Sequence, residues 1–453
     1  MIYFDLTSSM TYIGRNPVGI VRVEMKLARY ALDHLQPSEL TFCYFDMTLK
    51  KVGFLSFSDA QGVLNQIGRP IAPPAPAADV PPPPPPVQES TSELLRVYGE
   101  KTSVALKKIW HSMVSRKPMP PQVENPPQPP VPEGPPPPLE VPWNENDTFV
   151  TVGLIWDIWP TERLWSAKKL QKFRVVGMVH DLIPYIVSEF CRGVPPAFFR
   201  TVVDLLWCSE RIITVSECTS RDLKKFIELF DLPAPDIREN IHGMNVIDLA
   251  DNYTPPFDEL DVSHLSSGRF ILQVGTMEPR KNHQLIYNAY RKLVAEGHRD
   301  ELLPWVIVGA QAWGLADLVD TIRGNPSVYP DLIVLSNHVS DETLAWLYHN
   351  CAFTVYPSFY EGWGLPVSES LAFGKFCLTG TNAALCEAAA GFAETLDPFD
   401  TIGWARRLLE LMTHPELVQE KNARIRENYH MRTWEESGRD FFRLVQETHA
   451  KEL

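Results

Sequence analysis

Two periodic patterns of apolar residues alternate along most of the chain. In the first half, short apolar runs typical of buried strands occur at 2–6, 149–155, 175–179 and 211–215. A run at helical spacing extends from Gly19 to Leu35, and similar runs separate the later strands. The alternation restarts after Gly268, with strand-like runs at 270–274, 305–308, 332–335 and 353–356 and helix-like runs at 283–294, 341–349 and 367–373. This pattern predicts an α/β protein with two doubly wound parallel sheets, one in each half.

Residues 68–142 interrupt the first half with a different composition. Two proline-rich tracts, 70–86 and 118–142, favour extended or disordered chain. Between them, residues 92–117 combine apolar positions at helical spacing with a basic face. We expect a tethered amphipathic helix, which either packs on its own domain or docks on an anionic membrane surface.

Length and charge narrow the possible functions. With 453 residues, the chain is too long for one compact core, which predicts two domains, 1–262 and 263–430. The formal net charge of -14 argues against general nucleic-acid binding, because phosphate backbones need basic surfaces. Seven cysteines without a Cys-x-x-Cys pair predict buried, reduced thiols and a cytoplasmic location. We expect neither a secretory leader nor a membrane-spanning segment.

The segment 356–375 carries the strongest functional signal. Glu361 and Glu369 stand on either side of a Gly-x-Gly-Leu-Pro turn that follows an apolar strand and precedes a helix. Such a loop offers backbone N–H groups to an anion, and the helix N-terminus adds a positive partial charge. Both carboxylates are then predicted to face a polyhydroxylated ligand from one side of a crevice.

Further polar residues follow other predicted strands. Arg280 and Lys281 come after the strand 270–274, where two adjacent cations suit a diphosphate. His180 and Asp181 end the strand 175–179, a position at which ligands bind in this architecture, although His180 is equally consistent with a structural histidine. Gly19 opens a helix after the first strand, so a phosphate or sugar can approach its N–H group.

Several common cofactor signatures are missing from the sequence. The loop around Gly14 and Gly19 is not Gly-x-Gly-x-x-Gly, which argues against a nicotinamide dinucleotide. The chain also has no P-loop pattern, no Asp-x-Asp triplet and no His/Cys cluster with zinc spacing. We therefore expect a mechanism without metal or cofactor.

Taken together, the motifs resemble those of retaining glycosyltransferases of family 4. They run in that family's order: Val-Gly-Ile-Val-Arg-Val, Val-His-Asp-Leu-Ile-Pro, Ile-Thr-Val-Ser-Glu-Cys-Thr-Ser-Arg-Asp, Val-Gly-Thr-Met-Glu-Pro-Arg-Lys-Asn, Val-Gly-Ala-Gln-Ala-Trp-Gly and Tyr-Glu-Gly-Trp-Gly-Leu-Pro-Val-Ser-Glu-Ser. The resemblance covers nearly everything outside 68–142. It implies the GT-B fold, in which two facing Rossmann-like domains enclose a cleft, and a C-terminal helix in 431–453 that crosses back to the first domain.

The resemblance also implies a role for each site residue. Arg280 and Lys281 would hold the donor's diphosphate, with Gly19 approaching it from the opposite domain. Glu361 and His180 would face the transferred sugar, and Glu369 would contact the ribose. Backbone groups of Gly364 and Leu365 would cradle phosphate or sugar, and Val339 would receive the base. The sequence departs from the family at Cys386, where proline is common, and at Trp363, where phenylalanine is commoner.

The function implied is transfer of a hexose-type unit, with mannose slightly preferred, from a nucleotide diphosphate sugar to a glycan or lipid-linked glycan. The expected setting is bacterial surface polysaccharide synthesis at the cytoplasmic face of the membrane. Two alternatives remain open from the residues alone. One is a glycosidase in which Glu361 and Glu369 flank the scissile bond, and the other is a non-catalytic scaffold that binds sugar nucleotides.

Overall fold

A computed structural model describes residues 1–68, 138–310 and 332–451, and also positions 318, 320, 321 and 324. Within these ranges it leaves out residues 16, 18, 157, 192–194, 251–252, 257–264 and 336–338. The predicted helix at 92–117 and the predicted domain boundary at 262/263 lie outside these residues. Both therefore remain predictions.

The first lobe, residues 1–250, is built on a seven-stranded sheet with the order β3-β2-β1-β4-β5-β6-β7. Its strands are β1 (Ile2–Asp5), β2 (Leu40–Asp46), β3 (Lys51–Leu55), β4 (Thr148–Thr151), β5 (Arg174–Val179), β6 (Arg211–Thr214) and β7 (Asp236–Glu239). Its helices are α1 (Thr7–Thr11), α2 (Gly19–His34), α3 (Phe57–Gln66), α4 (Thr161–Gln171), α5 (Ile183–Ile186), α6 (Pro196–Cys208) and α7 (Glu217–Phe230). All neighbouring strands are parallel except β2 and β3, which form an antiparallel pair at the edge.

The second lobe, residues 265–428, contains a six-stranded parallel sheet with the order β10-β9-β8-β11-β12-β13. Its strands are β8 (Ile271–Val274), β9 (Trp305–Val308), β10 (Leu332–Leu335), β11 (Phe353–Tyr356), β12 (Cys377–Gly380) and β13 (Glu394–Leu396). Its helices are α8 (His283–Ala295), α9 (Asp341–Asn350), α10 (Leu365–Ala372), α11 (Ala383–Ala389), α12 (Thr401–Thr413) and α13 (Pro415–Asn428), and the chain ends with α14 (Trp434–His449).

Each sheet reverses its winding direction near its middle. In the first sheet the chain moves outward from β1 to β3 and then resumes on the other side of β1 with β4. In the second sheet the same reversal separates β8 from β11. Ligands in doubly wound sheets bind beyond the C-terminal strand ends at such a point, so the loops after β1, β4, β8 and β11 are where a site is expected.

The α/β class and the two doubly wound sheets are confirmed. The eight strands predicted from apolar runs all occur, each with bounds within four residues of the prediction. The first sheet departs from the predicted parallel arrangement at β3, a strand that was not predicted, because a short turn joins it to β2 and requires antiparallel pairing. Of the cysteines predicted to be buried, Cys386 is exposed and Cys191 is half-buried, because both lie in loops or on a helix surface rather than in strands.

Helix α14 packs on the first sheet although it follows the whole second lobe. Thr433 caps it, and the side chain of Glu436 completes a capping box with the Thr433 backbone. The rings of Phe441 and Phe442 lie with their centroids 6.4 and 5.8 Å from that of Phe4 in strand β1. All three phenylalanines are buried, and each contributes about 2 kcal/mol through removal of its ring from water. This packing ties the C-terminal helix to the first lobe.

Candidate active site

The loop after strand β8 places two cations at the end of the second sheet. The loop begins at Gly275, where the backbone passes close to that of Gly309. A Cβ on Gly309 would lie 2.0 Å from the carbonyl oxygen of Gly275, so only glycine fits there. The chain then makes a single 3-10 turn, Pro279–Lys281, which Asn282 ends with a φ of 55°. The Asn282 side chain donates hydrogen bonds to the carbonyls of Pro357 and Pro398. The turn is thereby fixed to the neighbouring strand ends.

Both cations converge on one buried carboxylate, Glu361. Arg280 Nη1 lies 2.7 Å from Glu361 Oε2, and Lys281 Nζ lies 2.6 Å from Glu361 Oε1. The hydroxyls of Tyr356 and Ser358 donate to the same Oε1, at 2.9 and 2.6 Å. Only 6% of Glu361 is exposed to solvent. In this arrangement Glu361 is a counter-ion that holds the two cations in place.

The charges in this cluster control its protonation. Burial alone would raise the pKa of Glu361, but the nearby charges of Arg280 and Lys281 outweigh it and hold the pKa at about 2. Burial lowers the pKa of Lys281, and the charge of Arg280 lowers it further, while Glu361 opposes both effects. Arg280 also pairs with Glu278 at 2.5 Å. The two cations and two carboxylates therefore balance in charge until an anion enters.

Glu369 lies on helix α10 with partners from both lobes. Its Oε2 accepts a hydrogen bond of 2.9 Å from the hydroxyl of Tyr348, a fully buried residue of α9. Its Oε1 lies 3.4 Å from Nη1 of Arg22, which belongs to α2 in the first lobe. Glu369 is 347 residues from Arg22 along the chain. The sequence predicted that Glu369 belongs to the site but indicated neither Tyr348 nor Arg22 as its partner.

The glycine loop before α10 passes directly against the first lobe. A Cβ on Gly362 would lie 2.2 Å from the carbonyl oxygen of His180, so only glycine fits there. Ser216 donates a hydrogen bond of 2.7 Å to the carbonyl of Gly362. Gly364 precedes α10 with a φ of 109°, and a Cβ there would also meet Leu385 at 2.5 Å. These two glycines restrict the backbone conformation of the loop, which leads into the N-terminus of α10 at Leu365.

On the opposite wall, α2 begins at Gly19 and faces α10. A Cβ on Gly19 would lie 3.8 Å from Leu365 Cδ1, an ordinary contact distance. Packing therefore does not require glycine at position 19. The predicted approach of a ligand to its backbone remains a separate reason for it.

His180 lies at the end of β5 beside this glycine loop. Its Nε2 is 2.6 Å from the carbonyl oxygen of Val152, so Nε2 carries the proton and donates. Burial lowers the pKa of His180 to about 4, while the bond to Val152 opposes this effect. His180 is therefore neutral at physiological pH and presents Nδ1 as an acceptor. The adjacent Asp181 has a raised pKa, because burial outweighs the attraction of Arg280.

Other side chains join the lobes beside the glycine loop. The carboxylate of Glu387 accepts hydrogen bonds from the backbone N–H groups of Glu217 and Cys218, at 2.8 and 2.7 Å, at the start of helix α7. The hydroxyl of Tyr360 donates a bond of 2.5 Å to Asp222 of the same helix. Glu387 thus complements the positive end of α7, which identifies a role for this glutamate that its sequence position alone did not reveal.

The structure brings together most of the predicted site residues. Arg280, Lys281 and Glu361 are in direct contact. The other predicted members lie along the same cleft walls: His180, Gly19, Gly364, Leu365 and Glu369. Val339 is half-buried against the second-lobe core and directly precedes α9, whose Ser340 cap accepts a bond from Thr343. Its predicted contact with a base stays a prediction.

Tyr356, Ser358, Tyr348 and Arg22 are further members of the site. Tyr356 and Ser358 stand at the end of β11, a position that would have revealed them. Within the part of the chain that the structure describes, no three His, Cys, Asp or Glu side chains are grouped to hold a metal ion. Among the same residues, no helix is both long and apolar enough to span a lipid bilayer.

Comparisons with known proteins agree with this architecture. Residues 259–430 match the family model described as glycosyl transferases group 1. The O-antigen chain mannosyltransferase B of Escherichia coli is 29% identical over 246 residues, which cover 52% of this chain and 61% of that protein. The serotype-specific mannosyltransferase WbdA of Escherichia coli is 26% identical over 255 residues, covering 55% of this chain and 31% of that protein. The chain therefore spans less than two thirds of the length of these relatives.

Solved structures with the same fold cover nearly the whole chain. Anabaena HepE aligns over 98% of this chain and 99% of its own, with a TM-score of 0.55 and 11% identity. A sucrose-phosphate synthase from Thermosynechococcus elongatus aligns over 99% of both chains, with a TM-score of 0.53 and 14% identity. At these identities the likeness establishes the fold alone. The chain has the GT-B fold, and its segment 259–430 matches the family model of the glycosyl transferases group 1.

Proposed function

We propose that this protein transfers a hexose-type unit from a nucleotide diphosphate sugar to a glycan or lipid-linked glycan acceptor in bacterial surface polysaccharide synthesis. The observation that carries the proposal is the convergence of Arg280 and Lys281 on buried Glu361 at a strand end, within the segment that matches the family model. Mannose is the preferred sugar, because two relatives are named as O-antigen or serotype-specific mannosyltransferases.

The leaving group decides the chemistry. The bond between the anomeric carbon and the β-phosphate oxygen breaks, and negative charge develops on that oxygen. Arg280 and Lys281, with the N-terminus of α10, are the groups that would stabilise it. Because these groups are already held by Glu361, Tyr356 and Asn282, little reorganisation is needed when the charge appears.

The acceptor hydroxyl forms the new bond to the anomeric carbon, and its proton passes to the departing phosphate oxygen. We propose that attack occurs on the face from which the phosphate leaves, which retains the anomeric configuration. His180 is neutral, so its Nδ1 can accept a hydrogen bond from a sugar hydroxyl but does not supply a positive charge. The mechanism proposed needs no metal or cofactor.

Two arrangements in the site weigh against the glycosidase alternative. A glycosidase needs an acid with a raised pKa beside an ionised carboxylate. Glu361 instead has a pKa of about 2 and four donors around it. Glu369 is paired with Arg22 and Tyr348. Glu361 therefore lacks the environment of a general acid, and both partners of Glu369 are groups that donate to a carboxylate.

The test is a panel of nucleotide sugars, including GDP-mannose, GDP-fucose, UDP-glucose, UDP-galactose and dTDP-rhamnose, incubated with the protein and a glycan acceptor extract. We expect release of the nucleotide diphosphate from one donor, dependent on acceptor, with GDP-mannose preferred. Binding without release would support a scaffold, and sugar release from an oligosaccharide without any nucleotide would support a glycosidase. Either result would overturn the proposal.

A further inference from the structure

Two helices that begin at the cleft, one from each lobe, face each other in matched register. Gly19 at the start of α2 faces Leu365 at the start of α10. One turn further along, Arg22 of α2 meets Glu369 of α10, with Nη1 and Oε1 3.4 Å apart. Arg22 is therefore paired with Glu369, the carboxylate to which the ribose of a donor is proposed to bind. This inference rests on the proposed function.

Arg22 is held more loosely than the other two cations in the cleft. Its ion pair spans 3.4 Å, whereas those of Arg280 and Lys281 with Glu361 span 2.7 and 2.6 Å. The Arg22 side chain is 37% exposed, against 12% for each of the others. An ion pair this exposed and this long contributes little to stability. An incoming anion can therefore take Arg22 from Glu369 at little cost.

The charges along α2 favour an anion at this position. Lys26 follows Arg22 by one turn on the same face, and like charges at this spacing repel each other. Burial lowers the pKa of Lys26, and the charges of Arg29 and Arg22 lower it further, while Asp341 of the second lobe opposes them. A phosphate beside Arg22 would relieve this repulsion. The planar guanidinium of arginine also suits two-point contact with phosphate oxygens.

We propose that Arg22 is a third diphosphate-binding cation, supplied by the first lobe, which leaves Glu369 for the phosphates when the ribose takes its place. Arg22 lies one turn from Gly19, where the start of α2 meets the start of α10, and a helix N-terminus favours a bound anion. The exchange satisfies both groups that the ion pair now links. Glu369 accepts ribose hydroxyls, and Arg22 gains a doubly charged partner.

The proposal predicts that Arg22 recognises phosphate rather than nucleoside. Titration calorimetry on the full chain would compare GDP and UDP with guanosine and uridine, for the wild type, Arg22→Gln and Arg22→Lys. A lost hydrogen bond to a charged group implies a decrease in diphosphate affinity of about 10- to 100-fold for Arg22→Gln, with nucleoside affinity unchanged and partial rescue by lysine. Arg29→Gln removes the same charge from the exposed end of this face, where Arg29 bonds the Leu64 carbonyl, and is expected to bind as the wild type does.

Three results would overturn the inference alone while the wild type still binds a diphosphate. The first is unchanged or tighter diphosphate binding by Arg22→Gln, which would make Arg22 only an occupant of the ribose site. The second is an equal loss of affinity for nucleoside and diphosphate in that variant. The third is an equal loss in Arg29→Gln, which would indicate an effect of net charge. If the wild type bound no nucleotide and no nucleotide sugar, the proposed function would fall, and this inference with it. Circular dichroism spectra would establish that each variant is folded.

Discussion

Replacing Arg280 by glutamine tests whether the clamp, the cluster of Arg280 and Lys281 on Glu361, acts on the leaving group. The substitution removes the cation that lies 2.7 Å from Glu361 and also pairs with Glu278. Lys281, Tyr356 and Ser358 still donate to Glu361. The loop therefore keeps donors to its central carboxylate while it loses one charge aimed at the β-phosphate.

The structure sets the size of two separate effects. Glu361 has a pKa of about 2 against an ordinary value of 4.5, which corresponds to about 3 kcal/mol of net stabilisation of its charge by both cations. Removing one partner of a buried ion pair costs a similar amount. We therefore expect Arg280→Gln to lower the free energy of unfolding by about 3 kcal/mol. Loss of a preorganised charge contact lowers kcat by about a hundredfold or more.

The assay must separate stability from catalysis. Urea unfolding gives the free energy of unfolding, and release of nucleotide diphosphate from the preferred donor gives kcat and KM. The double variant Arg280→Gln/Glu361→Gln removes cation and anion together but leaves buried Lys281 without its carboxylate partner, so it should regain neither the lost stability nor the lost activity. Arg291→Gln, an exposed arginine on α8, should change neither quantity.

Two results would refute this reasoning. An unchanged kcat with a raised KM in Arg280→Gln would mean that Arg280 binds donor and transition state equally. Recovery of wild-type activity in the double variant would mean that the cation serves only to neutralise Glu361. The first would remove Arg280 from the catalytic step, and the second would remove the clamp.

Three further predictions follow from contacts elsewhere in the structure. Burial, and then the charge of Asp5, raise the pKa of Glu24 from 4.5 to about 8, so the folded state keeps a proton that the unfolded chain releases. The free energy of unfolding should therefore fall as pH rises from about 4.5 to 8, by up to about 5 kcal/mol, and urea titrations should find this slope reduced in Glu24→Gln. Gly362→Ala places a Cβ against the His180 carbonyl and should lower both Tm and kcat, whereas Gly62→Ala, in open space on α3, should lower neither. Glu369→Gln should raise KM for the donor about tenfold with a smaller change in kcat, measured by donor titration.

Each of these predictions has an outcome that contradicts it. A pH slope of equal size in Glu24→Gln would place the retained proton on another group. Wild-type activity in Gly362→Ala would mean that the two lobes separate enough in solution to admit a Cβ, which in this structure would lie 2.2 Å from the His180 carbonyl oxygen. An unchanged KM in Glu369→Gln would remove ribose binding from this residue.

The sequence predicts the buried part of the fold well because strands covered on both faces read as continuous apolar runs. Among the described residues, strands β2, β3, β7, β12 and β13 were not predicted, although β12 is buried along its whole length. Of these, β7 and β13 lie at sheet edges and carry polar residues. Their strand conformation comes from pairing with a neighbour, which no local pattern records.

The site likewise contains positions that the sequence predicts and contacts that it does not. The positions of Arg280, Lys281 and Glu361 at strand ends follow from the alternation of strands and helices. The sequence does not indicate that both cations share one carboxylate, or that Arg22 reaches Glu369, because the arrangement of the two lobes fixes that contact. The resemblance assigns Glu361 to the sugar, whereas the structure describes it as the buried counter-ion of the clamp. Its contact with the sugar stays a prediction.

The most direct measurement of the central claim is a structure of this protein with the nucleotide diphosphate of its preferred donor bound. We expect β-phosphate oxygens within hydrogen-bond distance of Arg280 and Lys281, with the ribose hydroxyls on Glu369. A nucleotide bound elsewhere, or with its phosphates away from both cations, would contradict it.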